Sequence, residues 1–367
     1  MESMKLRQLF LLLLFMTVPF VIIYYVNLCN YFRVSELKVY KNESKVKHIL
    51  FWTKAWDNED FYLGLGSEPF KRCPINNCFT TSDKKFMPVE DFDAVLFHGA
   101  EYTLEKYGKP QKRKHNQVYV STNRESPINT VDDDFKNFFN WTMTYRRDSD
   151  IIYSYGSFIK MSNTYRMPKA DDVTQKSKKI AWFVSHCNVQ SKRDDLAKEM
   201  QKYMEIDIFG SCGNLICPKE LSEECYNKID KEYKFYLSFE NSFCKDYVTE
   251  KLYNILAKNI IPIVYGNNNY SEVAPPHSVI DVRNFKNVSS LMEYVKYLDE
   301  NVDEYLKYFE WKKSFILNRQ SPVCELCKKL NEPINQKVYS DLKLWWHGDK
   351  NNKICEQLPE IVRFLKN

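Results

Sequence analysis

The chain has 367 residues, with 53 lysines and arginines against 48 aspartates and glutamates, 44% apolar residues and 11 cysteines. That composition excludes a disordered tail, and at roughly 150 residues per domain the length suits two domains whose core needs no metal or disulfide staple. The net charge of +5 comes from interspersed signs and makes no electrostatic case for nucleic acid as a partner.

Leu9 to Val26 carries no charge, and extension to Leu28 gives 20 residues, about 30 Å of helix and enough to cross a bilayer. Lys5 and Arg7 precede it on a short tail, a bias that leaves the N-terminus in the cytosol and the body on the other side. The expectation is a single-pass type II protein with a tail over 1–8, an anchor over 9–28 and a polar stem over 29–45. A cleaved signal peptide is the rival reading, against which stand the length of the apolar run and the absence of an Ala-x-Ala-like site. Glycosylation triplets begin at Asn42, Asn140, Asn269 and Asn287. Leaving out Cys29, ten cysteines remain, an even number that suits an oxidising lumen. The short-range candidate pairs are Cys73 with Cys78, Cys212 with Cys217, and Cys324 with Cys327. No second pair follows Cys324 and Cys327 at zinc-finger spacing.

The folded body opens with the strand-like VKHILFWT at Val46, and DAVLFH and QVYVS follow without tight hairpin turns, which favours an α/β half-domain over 46–172. Asp171 to Lys179 is charged and polar, and marks the boundary to a second half over 173–330. There IAWFVS, EIDIFG, FYLSF and IIPIVYG alternate with helical patterns over Ser191–Tyr203 and Tyr247–Lys258, the rhythm of a parallel sheet with crossover helices. Leu196, Met200 and Tyr203 share one face of the first helix, Ser191 can cap it, and Arg193 lies in its first turn. Gly210 ends a strand where backbone freedom is useful. One or two helices follow Asn287. The segment 331–367, with its aromatic Leu344–Trp346, is expected to pack at the junction of the domains.

The densest polar cluster is FENSFCKDYVTEKLYNILAKNIIPIVYG, Phe239 to Gly266, at a strand's carboxyl end, where open α/β sheets bind ligands. A helix starting near Asp246 places Glu250 and Lys251 in its early turns, beside amides that favour a diphosphate. Tyr247, Lys251 and Asn254 then share a face. The plainer reading is an Asx cap, one solvated Glu–Lys pair and a core tyrosine. A second cluster, STNRESPINT from Ser121 to Thr130, holds Glu125 ahead of Ser126-Pro127, in backbone that the proline keeps extended. Its plainer reading is an exposed turn residue. No GxGxxG, Walker A, DxD or HExxH occurs, and His48, His98, His115, His186, His277 and His347 show no metal-ligand spacing. Trp52 and Trp56, upstream of FYLGLGSEPFKRCPINNC, either offer aromatic faces to sugar rings or are buried, the more frequent outcome.

The segment KFYLSFENSFCKDYVTEKLYNILAKNIIPIVYG, Lys234 to Gly266, resembles the signature of the α1,3-fucosyltransferases, Golgi enzymes that use GDP-fucose. STNRESP, NWTMTYRRDSDIIYSYGSF and SKRDDLAKEMQKYMEIDIFGSCGN add to the resemblance, as does the short anchor with its stem. It implies a GT-B architecture, two Rossmann-like domains facing a cleft, the N-terminal one handling acceptor and the C-terminal one GDP-fucose. By position Glu125 matches the general base, Arg193 a donor-binding arginine, and Glu240, Asn241, Tyr247, Glu250 and Lys251 the sugar-nucleotide pocket. The resemblance implies inverting transfer of L-fucose to a GlcNAc hydroxyl on a glycoprotein or glycolipid glycan, at the Golgi membrane. No cofactor is required, with stimulation by Mn2+ left open. The acceptor, core GlcNAc or antennal LacNAc or LacdiNAc, is not read from any motif. Two other functions remain: a silent membrane-tethered glycan-binding module on the same scaffold, and an enzyme using a different sugar donor.

Overall fold

The computed structural model describes residues 45–131, 133–161, 167–319, 321–334, 337–356 and 364. The tail, the anchor over 9–28 and nearly all of the stem lie outside them. Among the described residues no helix is long and apolar enough to cross a membrane.

The fold is α/β, built on two sheets of parallel strands. The first takes β1 (Lys47–Phe51), β2 (Cys78–Thr81), β3 (Ala94–His98), β4 (Val118–Asn123), β5 (Trp141–Thr144) and β6 (Ile151–Ile152) in the order β2-β1-β3-β4-β5-β6. A further strand, β7 (Ser157–Lys160), leads out of it. The second sheet takes β8 (Lys178–Phe183), β9 (Ile206–Phe209), β10 (Tyr233–Phe239), β11 (Ile261–Tyr265) and β12 (Ile280–Asp281) in the order β12-β11-β10-β8-β9. β13 (Phe315–Asn318) pairs antiparallel with β7. Every residue of β3, β4, β10 and β11 is buried, which is why these runs read as continuously apolar or small rather than alternating. In each sheet the chain steps first to one side of its opening strand and then to the other. The reversals fall between β1 and β3 and between β8 and β10, and such crevices at strand carboxyl ends are where ligands bind.

The helices of the second half are shorter than their patterns suggest. α1 spans Arg193–Met200 and buries Leu196, Ala197 and Met200. Ser191 does not cap it: the hydroxyl donates to Glu240 O at 2.7 Å. α2 (Ser222–Glu232) is an addition to the expected elements; its apolar face is weak and buries Ile229. α3 runs over Glu250–Leu256, because Asp246 takes a left-handed φ of 61° and Thr249, not Asp246, caps the helix by accepting Lys251 N–H. Beyond Asn287, which caps it with a capping box, α4 (Val288–Glu300) buries Val288, Leu291, Met292, Val295 and Leu298 at helical spacing against the second sheet, and α5 (Val302–Lys307) follows.

α6 (Val323–Asn331) corrects the expected extent of the second half, 173–330. Its Val323, Leu326, Cys327 and Leu330 lie in the core of the first sheet. The reason is covalent as well as apolar: Cys73 is bonded to Cys324 and Cys78 to Cys327, so the candidate pairings Cys73–Cys78 and Cys324–Cys327 fail, and Cys212–Cys217 fails because Cys212 bonds Cys187 and Cys217 bonds Cys225. The other bridges are Cys187–Cys212, Cys217–Cys225 and Cys244–Cys355, which pairs all ten downstream cysteines. α7 (Leu342–His347) sets Trp346 against Tyr145 at 5.7 Å between ring centroids. Of the glycosylation triplets, Asn140 is buried with its amide bonded to Lys337 O and Tyr119 N–H, while Asn269 is exposed.

A disulfide is typically worth about 2–4 kcal/mol, and the two bridges to α6 close nearly the same loop, so the second adds less loop-closure entropy than the first. Non-reducing peptide mapping is expected to recover Cys73–Cys324 and Cys78–Cys327, and the Cys78→Ala/Cys327→Ala variant is expected to unfold at lower denaturant. Recovery of a Cys324–Cys327 peptide would contradict the pairing.

Candidate active site

β10 delivers the centre of the site. It ends at Phe239, and the next residue, Glu240, is 1% exposed. A carboxylate taken out of water needs a cation and hydrogen bonds. Thr249 supplies its backbone N–H at 2.8 Å and its hydroxyl at 2.9 Å, and Lys251 Nζ lies 3.2 Å from Glu240 Oε2. The same ammonium donates to Thr249 Oγ1 at 2.8 Å and sits 3.4 Å from Glu250 Oε1. Burial pushes the Glu240 carboxyl above its ordinary value, with Lys251 opposing. Burial acts on Lys251 in the downward sense, and Glu240 and Glu250 outweigh it, holding the ammonium above its ordinary value. For Glu250 the upward push of burial is overcome by Lys251 and by its own backbone amide, and the carboxyl lies below its ordinary value.

This arrangement corrects the expectation of free amides at the helix front. Thr249 N–H goes to Glu240, Lys251 N–H to the Thr249 hydroxyl and Leu252 N–H to Thr249 O, so three amides of the first turn are taken by protein groups. Positive charge in the cleft comes from side chains instead. Arg193, at the start of α1 and 2% exposed, donates from Nη1 to Phe239 O at 2.8 Å and from Nη2 to His186 O at 2.9 Å. Those bonds use two of its five N–H groups. Its Nε is buried without a hydrogen-bond partner among the described residues, as is Asn241 Oδ1. Burial draws the guanidinium below its ordinary value and Glu240 opposes the shift.

Glu125 comes from the other sheet, just beyond the end of β4. Ser126, ahead of Pro127, is extended at φ −71° and ψ 155°, as the proline requires. Both neighbours of Glu125 are pinned: Tyr155 OH donates to Arg124 O at 2.9 Å, and Ser126 Oγ donates to the equally buried Ser242 Oγ at 2.7 Å. Tyr247, buried against Tyr145, donates its hydroxyl to Glu125 Oε2 at 3.3 Å. Arg147 grips Asp246 next door through Nε at 3.0 Å and Nη2 at 2.9 Å.

Glu125, Arg193, Asn241, Tyr247, Glu250 and Lys251 all line one cleft of about 950 Å³. Glu240 stands behind it, reaching it through Lys251. The cleft lies over the reversal between β8 and β10, and Gly210 closes one side with φ 102°, where a Cβ would stand 2.5 Å from Val184 O. Tyr155, His186, Tyr226 and Asn254 line it as well, beyond the residues expected there as ligands. Asn254 carries the spacing it shares with Lys251, YSYGSF is the one sequence signal for Tyr155, and His186 and Tyr226 have no spacing of their own. Among the described residues no cluster of acidic, histidine or cysteine side chains could hold a metal ion.

The family model for the C-terminal part of glycosyltransferase family 10 (fucosyltransferase) matches residues 173–345, and that for the fucosyltransferase N-terminal part matches 44–156. The chain is 37% identical to α-(1,3)-fucosyltransferase C of Drosophila melanogaster, over 81% of this chain and 77% of that one. It is 34% identical to glycoprotein 3-α-L-fucosyltransferase A of the same organism, over 84% of this chain and 62% of the relative. It is also 34% identical to 4-galactosyl-N-acetylglucosaminide 3-α-L-fucosyltransferase 9 of Rattus norvegicus, over 74% of this chain and 75% of the relative.

Removing the cation of a buried pair strands its partner. Lys251→Met is expected to cost about 3–5 kcal/mol in denaturant unfolding, and Glu240→Gln added to it to recover much of the loss; a single-variant cost below ~1 kcal/mol would contradict the pairing. Because the folded Glu250 carboxyl is depressed, its contribution is present above the ordinary value of 4.5 and lost as pH falls through the lower folded value. Glu250→Gln is therefore expected to flatten the loss of stability on acidification below pH 4.5, read from unfolding midpoints against pH.

Proposed function

Since the chain belongs to glycosyltransferase family 10, the fucosyltransferases, we propose that it transfers L-fucose from GDP-fucose to a GlcNAc hydroxyl in α1,3 linkage, with inversion at fucose C1. The single observation that carries the reading is the cleft itself, which is lined together by a carboxylate just beyond β4, Glu125, and by two cations, Arg193 at the start of α1 and Lys251 in the first turn of α3. The names of the Drosophila and rat relatives support the donor sugar, the linkage and a GlcNAc-containing acceptor. We read the two parallel sheets as the GT-B arrangement, with the first sheet presenting acceptor and the second holding GDP-fucose.

In this mechanism Glu125 is the general base. It takes the proton from the acceptor hydroxyl as that oxygen attacks C1, at about 2.6–3.2 Å between heavy atoms in the complex. Tyr247 holds the carboxylate in place. On the opposite side the bond from C1 to the β-phosphate oxygen breaks and GDP leaves as an anion, so no protein acid is needed. The unused N–H groups of Arg193 and the ammonium of Lys251 are preorganised for the charge that grows on the β-phosphate, in a site partly withdrawn from water. Glu250, already ionised and half exposed to the cleft, releases its hold on Lys251 and accepts from the fucose hydroxyls or faces the developing oxocarbenium charge. Two side-chain cations supply what a metal would otherwise supply, so the proposed reaction requires no cofactor. The uncharged run over 9–28, the basic residues ahead of it and the pairing of all ten cysteines among the described residues support a type II anchor in the Golgi membrane with the catalytic body lumenal.

An acceptor array with GDP-fucose, followed by linkage analysis, is expected to give α1,3-fucosylated GlcNAc, and Glu125→Gln to lower kcat by roughly 10²–10⁴-fold. Another linkage or donor, or full turnover in Glu125→Gln, would reject the assignment.

A further inference from the structure

The first sheet has a reversal of its own, between β1 and β3, and the wall it contributes to the cleft near Glu125 is small: Trp56, Glu125, Asn129 and Tyr155. Trp56 follows β1, and of the residues that fix it His98 ends β3 and Glu101 follows it. It is 51% exposed, a large apolar ring left in water at the point of a sheet where ligands sit.

Its backbone is held against preference. Ala55 and Asn58 exchange both backbone hydrogen bonds at 2.9 Å, so Trp56 and Asp57 fill the two central positions of a tight turn, with φ of 50° and 65°. Turns of that hand favour asparagine and glycine, and a bulky residue there persists only where its surroundings over-determine it. They do so here. Glu101 Oε2 accepts Trp56 N–H at 2.7 Å and lies 3.0 Å from His98 Nδ1, and the His98 ring meets the Trp56 ring edge-on at 5.4 Å between centroids. Glu101 and His98 thus set both the main chain and the ring of Trp56, while the ring stays half open to the cleft.

We propose that Trp56 is the platform on which a pyranose ring of the acceptor stacks, through its apolar C–H face, to bring the accepting hydroxyl to Glu125. The inference rests on the transferase reading and adds the acceptor subsite to it. The cationic groups Arg193 and Lys251 belong to the second half of the chain, leaving Trp56 beside Glu125, on the side from which the nucleophile arrives. A sugar is the class of ligand that fits: an aromatic face supplies apolar contact area at small conformational cost, and the neighbouring Asn129 and Glu125 offer polar partners for hydroxyls.

The test compares wild type, Trp56→Ala, Trp56→Phe and Glu101→Gln, all assayed with GDP-fucose and N-acetyllactosamine. Trp56→Ala is expected to raise the acceptor KM about three- to tenfold, the equivalent of ~0.7–1.4 kcal/mol, with the donor KM held and with Trp56→Phe recovering most of the loss. Glu101→Gln, which leaves the ring in place but loosens its support, is expected to raise the acceptor KM as well. An unchanged acceptor KM in Trp56→Ala, or a rise in the donor KM in its place, overturns the proposal while leaving the transferase reading intact. Should the wild type transfer no fucose to any acceptor, the transferase reading fails. Saturation-transfer NMR of N-acetyllactosamine on wild type and Trp56→Phe, against Trp56→Ala, then decides the platform alone: ring-proton signals lost only in Trp56→Ala sustain it, and equal signals in all three overturn it. If Trp56→Ala does not fold, the ratio of acceptor KM between Trp56→Leu and Trp56→Phe decides instead: a ratio well above one sustains the platform and a ratio of one overturns it.

Discussion

A carboxylate with almost no solvent exposure, Glu240 at the end of β10, is the constraint on which the cleft depends. An isolated charge in that position would cost several kcal/mol, and the chain meets the cost locally: Thr249 turns its N–H and hydroxyl inward and α3 begins one residue later, which carries Lys251 back over the carboxylate. The end of one central strand and the start of one helix are thereby locked in register. Arg193 is tied to the same point, since its guanidinium donates to the carbonyl of Phe239 and the Ser191 hydroxyl to the carbonyl of Glu240. The two cations therefore have fixed positions before any substrate arrives, the condition for stabilising charge that appears only in a transition state.

The opposite wall is fixed by different means. Glu125 sits in a loop, where precision is harder to obtain than on a strand, and three bonds from outside the loop supply it: Tyr155 to Arg124 O, Ser126 to Ser242, and Tyr247 to the carboxylate itself. Two of these come from the segment that also carries Asn241 and Lys251. The proposed base and the proposed donor pocket are thus positioned by one another. The bridge between Cys244 and Cys355 fastens the same segment to the C-terminal part of the chain.

How much of this is legible in the sequence depends on whether the cause is local. β3, β4, β10 and β11 announce themselves because strands buried on both faces leave continuous runs of apolar or small residues, and β1, β8 and β9 by shorter apolar stretches. The signature from Lys234 to Gly266 places Glu240, Asn241, Tyr247, Glu250 and Lys251 near one strand end, and the structure brings them together there. Glu125 and Arg193, far apart in sequence, meet them only through the family's pattern, which no periodicity would supply. Long-range facts are out of reach. Cysteine spacing favours neighbours such as Cys324 and Cys327, whereas they bond to β2 and to the loop before it some 250 residues away, and α6 follows its bridges rather than its position in the chain. Helix ends are set by a left-handed Asp246 and by hydroxyls drawn away to buried partners, neither of which the residue pattern encodes. Trp56 is open to two readings in the sequence, and its exposure excludes the buried one.

The most direct measurement is a crystal structure of the protein with GDP and an acceptor glycan. The diphosphate is expected between the Arg193 guanidinium and the Lys251 ammonium, with the Glu125 carboxylate across the cleft from it, facing the acceptor hydroxyl. GDP bound elsewhere, or bound in this cleft with both cations still directed only at Phe239, His186 and Glu240, would contradict the proposed roles of all three side chains.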